Sequence, residues 1–269
     1  MTSTLQVGEL TVHLEGQGAQ TVVMVHGWPD TQALWDPQVA AMRDTYRCAR
    51  LTLPGFDQGH TRRVYSLDDV VAQLLAVLDA VSPHQPVVLL LHDWGCVFGY
   101  ALASRHPDRI AGVIGIDVGD AGSREHLAAL GLKAKLMIAT YQLWLALAWN
   151  LGGRTGDWMT RRMARLLQSP GVSASIGSWM NYPYHVQWTR GYPRKPFMPT
   201  APMLFVYGTR KPFMFHSQSW ADDLAARPHS AVHALRSNHW VSHCAAAEFN
   251  ALVLAWLDMQ AKERSKELR

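Results

Sequence analysis

Short apolar runs alternate along the chain with longer segments of helical periodicity. Residues 21–25, 87–91 and 110–116 are almost entirely apolar, which is typical of strands buried on both faces of a parallel sheet. Residues 67–81 carry apolar side chains at helical spacing directly after Ser66, which indicates a helix with a serine cap. This alternation predicts an α/β fold with a mostly parallel, doubly wound sheet.

Both ends of the chain extend this pattern. Residues 5–14 alternate between apolar and polar side chains around Gly8, so they predict a hairpin that turns near this glycine. The same criteria predict strands at 46–53, 202–209 and 230–235 and helices at 217–227 and 245–263. The charged run at 261–269 indicates the solvated end of the last helix.

The alternation of strand and helix patterns stops between residues 123 and 196, where the sequence contains no run typical of a buried strand. Instead, residues 125–151 and 157–168 indicate amphipathic helices rich in Trp, Met and Arg. We therefore predict a helical lid at 123–196 that is inserted into a core domain, with the two parts of the core at 1–122 and 197–269.

Composition and charge narrow the functional classes. The chain carries a net charge of +4 without a dense basic run, so no nucleic-acid partner is expected. Cys48, Cys96 and Cys244 lie far apart, which indicates neither a disulfide framework nor a zinc site. The N-terminus lacks a signal-like segment and no apolar run is long enough to span a bilayer, so we expect a cytoplasmic protein without a membrane span.

The run at 87–91 leads directly into His92-Asp93-Trp94-Gly95, so a carboxylate stands where a strand turns sharply into a helix. A nucleophile at the tip of such a strand–turn–helix is the arrangement called a nucleophile elbow. A carboxylate suits attack on a saturated carbon, which gives an ester that water then cleaves. The alternative is a structural acid that caps the helix.

Several short segments occur in a characteristic order along the chain. They are HGWPD at 26–30, PGFDQG at 54–59, HDWG at 92–95, RHPDRIAGVIGID at 105–117 and NHWV at 238–241. With these segments, the chain resembles the epoxide hydrolase and haloalkane dehalogenase branch of the α/β-hydrolases. The resemblance implies the α/β-hydrolase fold with an inserted helical lid, Asp93 as the nucleophile, and no metal or organic cofactor.

The resemblance also implies the partners of the nucleophile. His239 is the expected base that activates water, and His243 is the competing candidate. The backbone N–H groups of Trp28 and Trp94 are expected to form the oxyanion hole. The expected substrate pocket includes the side chains of His26, Trp28, Trp94 and Tyr141.

The acid that normally supports the histidine is missing from its usual position in this branch. That position, in the loop after the strand at 202–209, is occupied by Lys211. Some relatives instead carry this acid at the end of the strand that corresponds to residues 110–116. Asp117 stands there, and we expect its carboxylate to bond the His239 ring. Asp120 is the alternative acid, and Lys211 is expected to be a bystander paired with a surface acid.

The leaving group is suggested by aromatic residues. In the resembled branch an aromatic residue at the position of Trp28 is typical of epoxide hydrolases, which use phenols of the lid as acids. The candidates here are Tyr141, Tyr182 and Tyr184, with Tyr184 slightly ahead. The expected function is therefore the opening of epoxides of small apolar organic molecules to diols through an Asp93 ester. No prediction of oligomeric state follows from the sequence.

Two other functions stay open. The first is a haloalkane dehalogenase or related carbon–halogen hydrolase in which a lid tryptophan binds halide, the candidates being Trp144, Trp149, Trp158, Trp179 and Trp188. The second is a catalytically inactive hydrolase fold that serves as a binding module, which gains weight if neither Asp117 nor Asp120 reaches His239.

Overall fold

The sheet at the centre of the molecule has eight strands. A computed structural model describes residues 2–57, 62–171, 173–192 and 197–267. The strands run in the order β1-β2-β4-β3-β5-β6-β7-β8. Their bounds are β1 Thr2–Val7, β2 Leu10–Glu15, β3 Thr21–Val25, β4 Arg47–Leu51, β5 Val87–His92, β6 Ile110–Ile116, β7 Met203–Gly208 and β8 Ala231–Leu235.

Six of these strands form a parallel sheet. The strands from β4 to β8 in the sheet order all pair in parallel, whereas β1 pairs with β2 and β2 with β4 in antiparallel fashion. Strands β3 and β5 are buried along their whole length, as their apolar sequences predict. The mostly parallel sheet with flanking helices confirms the predicted fold class.

Helices cover both faces of the sheet. Four of them follow one another in the chain after β6, with no strand between them in the described part of the chain. The bounds of the α-helices are α1 Asp36–Met42, α2 Leu67–Val81, α3 Trp94–Arg105, α4 Arg124–Ala129, α5 Leu132–Leu151, α6 Gly153–Leu166, α7 Tyr182–Thr189, α8 Gln218–Ala225, α9 Val241–Cys244 and α10 Ala246–Glu267. Helix α2 has the predicted cap: the Ser66 hydroxyl accepts from the Asp69 N–H, and the Asp69 carboxylate accepts from the Ser66 N–H.

Helices α4 to α7 lie between β6 and β7 in the chain and make up the helical insertion. The sequence predicted the region of α4 to α6 but not α7, whose aromatic sequence lacks a clear helical period. The division into domains at residues 122 and 196 stays a prediction, and residues 193–196 lie outside the described part of the chain, as do positions 58 and 59 of the PGFDQG segment. None of the described helices is long and apolar enough to cross a membrane.

Helix α3 packs directly on the sheet because two of its residues have no side chain. A Cβ atom on Gly95 would lie 2.1 Å from the Val25 carbonyl oxygen, and one on Gly99 would lie 2.4 Å from the Leu91 side chain. Both distances are far below van der Waals contact, so only glycine lets α3 begin this close to β3 and β5. This contact fixes the position of the residue that joins β5 to α3.

A Cβ atom at this contact is expected to destabilise the fold. Gly95→Ala should lower the free energy of unfolding by about 3 kcal/mol or more, because backbone atoms of β3 must move. The matched control is Gly131→Ala, at a glycine where a Cβ atom meets nothing within 4 Å. Urea unfolding of the three proteins measures both effects, and equal stability of the two variants would contradict this account of the elbow.

Candidate active site

Asp93 stands at the turn between β5 and α3. Its backbone has φ 53° and ψ −120°, a conformation that non-glycine residues rarely adopt and that costs on the order of 1–3 kcal/mol. The turn directs the carboxylate away from the sheet, where 17% of the side-chain surface is exposed. A strained turn of this kind presents one functional group at the carboxyl edge of the sheet, as the elbow motif predicts.

The loop after β3 contacts Asp93 from one side. The Trp28 N–H donates to Asp93 Oδ1 at 2.7 Å, and the Trp28–Pro29 peptide bond is cis. Gly27 allows this approach, since a Cβ atom on it would lie 2.4 Å from Asp93 Oδ1. Trp94 is the first residue of α3, so its N–H has no acceptor in a preceding helical turn. Its part in an oxyanion hole stays a prediction.

His239 and Asp117 are in direct contact. The His239 Nδ1–H donates to Asp117 Oδ2 at 2.6 Å, and its Nε2 lies 3.4 Å from Asp93 Oδ2. The chain reaches this arrangement because Asp117 directly follows β6, the neighbour of β5, and adopts a left-handed φ of 66°. The contact expected from the sequence between Asp117 and His239 is therefore present in the structure. The competing His243 is exposed on α9 and does not line the site.

Lys211 is not the bystander that the sequence suggested. Its ammonium group donates to Asp117 Oδ1 at 2.5 Å and to the Gly208 carbonyl at 2.9 Å, and its side chain is only 7% exposed. The Gly208 N–H also donates to Asp117 Oδ1, at 2.9 Å. The lysine at the usual acid position thus binds the acid that stands at the end of β6, instead of a surface acid.

Asp120 does not serve as the alternative acid. Its Oδ1 accepts from the Ser217 N–H at 2.7 Å, and its Oδ2 accepts from the hydroxyls of Ser217 and Ser123 at 2.7 and 2.6 Å. These serines cap α8 and α4. Asp120 therefore connects two helix ends rather than supporting His239.

The charges of these groups stabilise one another. Burial opposes a charged His239, but the hydrogen bonds and charges of Asp117 and Asp93 outweigh it and raise the pKa of His239 to about 9. Burial likewise opposes ionisation of the two acids, yet the bond to His239 holds the pKa of Asp93 and that of Asp117 below the ordinary value. Lys211 contributes to the low pKa of Asp117. The resting site therefore contains two carboxylates and two cations.

Two further residues beside the site were not assigned a role from the sequence. His92 is fully buried, with Nε2 3.1 Å from the His239 carbonyl oxygen, and burial lowers its pKa to about 3. Asp30 accepts from the Trp240 indole at 2.8 Å, and burial raises its pKa to about 7. His92 belongs to the HDWG segment and Asp30 to the HGWPD segment, so these motifs could have indicated them. His92 contacts the backbone of His239, and Asp30 binds the side chain of the next residue, Trp240.

An apolar cavity of about 830 Å³ opens above Asp93 and His239. This volume lies within the range of small-molecule sites. Its walls come from α5, the end of α6, α7 and the loop after β7, and include Trp28, Leu132, Leu136, Met137, Tyr141, Met163, Leu166, Leu167, Tyr184, Phe213, Phe215 and Trp240. Three cationic side chains, Lys133, Arg210 and Lys211, also line it. The cavity suits a largely apolar ligand whose reacting atom reaches Asp93.

Tyr184 lines this cavity and Tyr182 does not. The Tyr184 ring packs edge-on against Trp28, Trp94 and Tyr141, at centroid distances of 5.7, 5.4 and 6.0 Å. Tyr182 is fully buried among Phe56, Tyr65 and Trp149 on the other side of α7. The structure thus argues against a role of Tyr182 as an acid, and it places Tyr141 beside Tyr184 instead.

Two other residues expected in the pocket lie behind its wall. His26 is fully buried: its Nε2 accepts from the Leu53 N–H at 2.9 Å, and its Nδ1 lies 2.8 Å from the Gly27 carbonyl oxygen. Burial lowers the pKa of His26 to about 4, so the ring is neutral and structural. The Trp94 ring stacks on Phe98 behind Tyr184. Neither residue lines the cavity.

The tryptophans of the helical insertion do not reach the cavity either. None of Trp144, Trp149, Trp158, Trp179 and Trp188 is among its lining residues. The indole of Trp144 donates to the Met159 carbonyl, and that of Trp179 to the Phe56 carbonyl. The Trp28 indole is bonded to Asn181 Oδ1 at 2.7 Å. A halide site built on a tryptophan of the insertion is therefore unsupported.

Within the described part of the chain, no three His, Cys, Asp or Glu side chains are grouped so that they could hold a metal ion. Asp93, His239 and Lys211 line the cavity, and the buried Asp117 lies behind them in contact with both His239 and Lys211. A nucleophile, a base and an acid that orients the base are the components of covalent hydrolysis.

The chain belongs to the α/β-hydrolase fold family, whose sequence model matches residues 20–243. Epoxide hydrolases and a haloalkane dehalogenase are among the proteins to which it is similar. The structure is similar to an epoxide hydrolase from Bacillus megaterium, with a TM-score of 0.72 and 20% identity over 95% of this chain and 100% of that one. The structure is also similar to a haloalkane dehalogenase from Bradyrhizobium elkanii, with a TM-score of 0.69 and 16% identity over 99% of each chain. These two likenesses show the fold.

Sequence relatives match a shorter segment. Epoxide hydrolase B of Mycobacterium tuberculosis is 34% identical over 110 residues, which is 39% of this chain and 31% of the relative. A cis-3-alkyl-4-alkyloxetan-2-one decarboxylase of Shewanella oneidensis is 33% identical over 112 residues, which is 39% of this chain and 34% of the relative. The match thus spans about a third of the length of these curated relatives.

Removing the cation from Asp117 is expected to change the basicity of His239. In Lys211→Met the Asp117 carboxylate loses the charge of Lys211 and keeps that of His239, so the pKa of His239 should rise. The expected rise is about one pKa unit, which leaves roughly tenfold less neutral imidazole at a given pH. It corresponds to a change of ~1.4 kcal/mol in the free energy of protonating His239. Titration of the labelled histidine rings by NMR measures it. Lys133→Met is the control, because Lys133 also lines the cavity; an equal rise in both variants would refute the specific role of Lys211.

Proposed function

We propose that this enzyme opens epoxides to diols through a covalent ester on Asp93. The observation that carries the proposal is the meeting of the Asp93 carboxylate and the phenols of Tyr184 and Tyr141 in one apolar cavity, with His239 beside the carboxylate. An epoxide needs these two functions at once, a nucleophile for its carbon and an acid for its oxygen. The partial matches to epoxide hydrolases of known name support the same reaction class.

In the first step an Asp93 oxygen attacks a ring carbon of the epoxide, and the carbon–oxygen bond of the ring breaks. The departing alkoxide takes the proton of the Tyr184 phenol, with Tyr141 as the second phenol. Burial and the charge of Asp93 raise the pKa of Tyr184 well above its ordinary value, so this phenol remains protonated until the alkoxide forms. The largely apolar walls suit an apolar epoxide.

In the second step water attacks the carbonyl carbon of the Asp93 ester while His239 Nε2 takes its proton. The negative oxygen of the intermediate accepts hydrogen bonds from the N–H groups of Trp28 and Trp94. The intermediate collapses, the ester bond breaks, and the diol oxygen takes the proton from His239. The second proton of the water, left on the Asp93 carboxyl group, then passes to His239 and restores the carboxylate and the charged ring. Asp117 keeps the ring in place and stabilises its cationic form.

The ester itself prepares His239 for this second step. In the resting site the charge of Asp93 contributes to the pKa of about 9 of His239, so the ring is protonated at neutral pH. When Asp93 becomes a neutral ester, this contribution disappears and the pKa of His239 falls. The ring can then return its proton to the Tyr184 phenolate, which leaves a neutral base only while there is an ester to cleave.

Trapping of the ester tests the covalent step and the leaving group together. His239→Gln lacks the base, so it should accumulate the ester when soaked with epoxides. In intact-mass spectra an epoxide adds its whole mass, whereas a haloalkane adds its mass less that of the hydrogen halide. Oxetan-2-ones extend the panel, because one relative acts on this ring class.

The control for this experiment is the double variant Asp93→Asn/His239→Gln, which should bind no adduct. Peptide mapping should place the modification on the peptide that contains Asp93. Adducts from haloalkanes alone would replace the proposal by a dehalogenase. The absence of any adduct in His239→Gln, in a preparation whose wild type forms diol, would refute a covalent mechanism.

Two tyrosine variants test which phenol protonates the departing alkoxide. Tyr184→Phe should lower the rate of epoxide opening by about 10²–10⁴-fold, because the alkoxide loses its proton donor. Tyr182→Phe removes an equal hydroxyl from the same helix outside the cavity and should leave the rate within about threefold of wild type. Single-turnover diol formation measures both. A slower Tyr182→Phe with an unchanged Tyr184→Phe would reverse the assignment.

A further inference from the structure

Exposed apolar side chains are concentrated on the helical insertion. Among the residues that the structure describes, twelve large apolar side chains are exposed, and eleven of them lie between Leu127 and Trp188; the other is Met259. Scattered exposed apolar residues are common on protein surfaces, but a contiguous group of this kind marks an interaction surface.

Helix α5 carries most of this group on its outer side. Leu132, Leu136, Leu143, Leu147 and Leu151 are between 47% and 74% exposed. Their spacing of four or seven residues places them in one stripe along a helix that is about 30 Å long. Because Leu145, Ala148 and Trp149 on its inner side are buried, α5 has apolar residues on both sides.

Helix α6 adds aromatic and basic side chains to the same hairpin. Trp158 and Leu166 are 52% and 65% exposed, and the exposed Arg162 and Arg165 lie between them at helical spacing. The Arg162 guanidinium stands over the Trp158 ring, 5.9 Å from its centroid. We call the exposed side chains of α5 and α6 the hairpin face.

The positive charge of the chain is also concentrated on the helical insertion. Residues 123–196 contain ten basic and two acidic residues, a net charge of +8, whereas the whole chain has +4, so the remainder carries −4. Lys133 and Lys135 are exposed beside Leu132 and Leu136 at the start of α5. Leucines and a tryptophan flanked by lysines and arginines form the pattern of a helix that lies in the headgroup region of a membrane.

We propose that the hairpin face docks on an anionic lipid bilayer. Its leucines and Trp158 would enter the headgroup region, and its lysines and arginines would bind the acidic headgroups. A second copy of the chain is a poorer occupant, since a twofold interface on this face would bring two surfaces of the same positive charge together.

The hairpin face is continuous with the mouth of the cavity. Leu132, Leu136, Leu166 and Leu167 are exposed and also line the cavity wall. A docked molecule would therefore open its cavity towards the bilayer, and an apolar substrate dissolved there could enter without crossing water. This entry route rests on the proposed function, whereas the docking does not.

Cosedimentation with vesicles tests the docking without any measurement of activity. The full chain should bind vesicles of phosphatidylcholine with about 30% phosphatidylglycerol at least about tenfold more tightly than vesicles of phosphatidylcholine alone. Raising the salt from about 0.1 M to about 1 M should weaken this binding, because the Debye length falls from about 10 to about 3 Å.

Two variants separate the apolar and the basic contribution. Leu143→Ser/Leu147→Ser, which leaves the cavity lining intact, should weaken binding by at least about tenfold. Arg162→Gln/Arg165→Gln should weaken it by roughly tenfold to thirtyfold. The control is Met259→Ser/Lys262→Gln, which changes an exposed apolar and an exposed basic residue of α10 on the core and should bind as wild type does. Circular dichroism checks that each variant is folded.

Three results would overturn the proposal. They are no binding to the anionic vesicles by the wild type, equal loss in the α10 control, and a dimer without lipid that Leu143→Ser/Leu147→Ser converts to a monomer. The last would assign the hairpin face to a second copy. Diol formation in solution without vesicle binding would refute the docking and leave the proposed function in place, and vesicle binding by a chain without epoxide activity would do the reverse.

Discussion

Two carboxylates, those of Asp93 and Asp117, stand at the ends of neighbouring strands and largely out of contact with water, and the site is organised around the cost of holding their charges there. His239 lies between the two acids, and Lys211 binds the second of them from the opposite side. Each acid also accepts a backbone N–H, from Trp28 and Gly208. The pairing explains why a lysine is accommodated at position 211: with an acid buried at the end of β6, the place beside that acid favours a cation.

Much of this arrangement could be predicted from the sequence, because local signals determine it. Apolar runs placed β3, β5 and β6, and the sharp turn required by the glycines after Asp93 placed a carboxylate at the sheet edge. The parallel order brings the end of β6 next to the elbow, and the resemblance to relatives that carry their acid there named Asp117 as the residue that bonds the His239 ring. The choice between Asp117 and Asp120 depended on backbone geometry: the left-handed turn at Asp117 directs its side chain to the site, while Asp120 is taken by serine caps.

Other parts could not be predicted, because they depend on which side of an element faces inward. Tyr182 and Tyr184 are two residues apart on α7, and residues at this spacing point to nearly opposite sides of a helix. Without the phase of α7, the sequence could not tell which tyrosine faces the cavity. The role of Lys211 was predicted wrongly for a similar reason. A long charged side chain on a loop turns inward only where a buried opposite charge binds it, and the sequence does not show where that charge lies. His26 was placed in the pocket by its motif, although its ring has both nitrogens occupied by the backbone.

Trp28 connects two parts of the molecule that are far apart in the chain. Its backbone N–H holds the Asp93 carboxylate, and its indole N–H is bonded to Asn181, whose amide in turn donates to the Thr160 hydroxyl. The residue that binds the Asp93 carboxylate is thus connected at its other end to α6 and to the segment just before α7. A displacement of these helices would therefore be transmitted through Trp28 to the Asp93 carboxylate, because one residue joins the roof of the cavity to its floor.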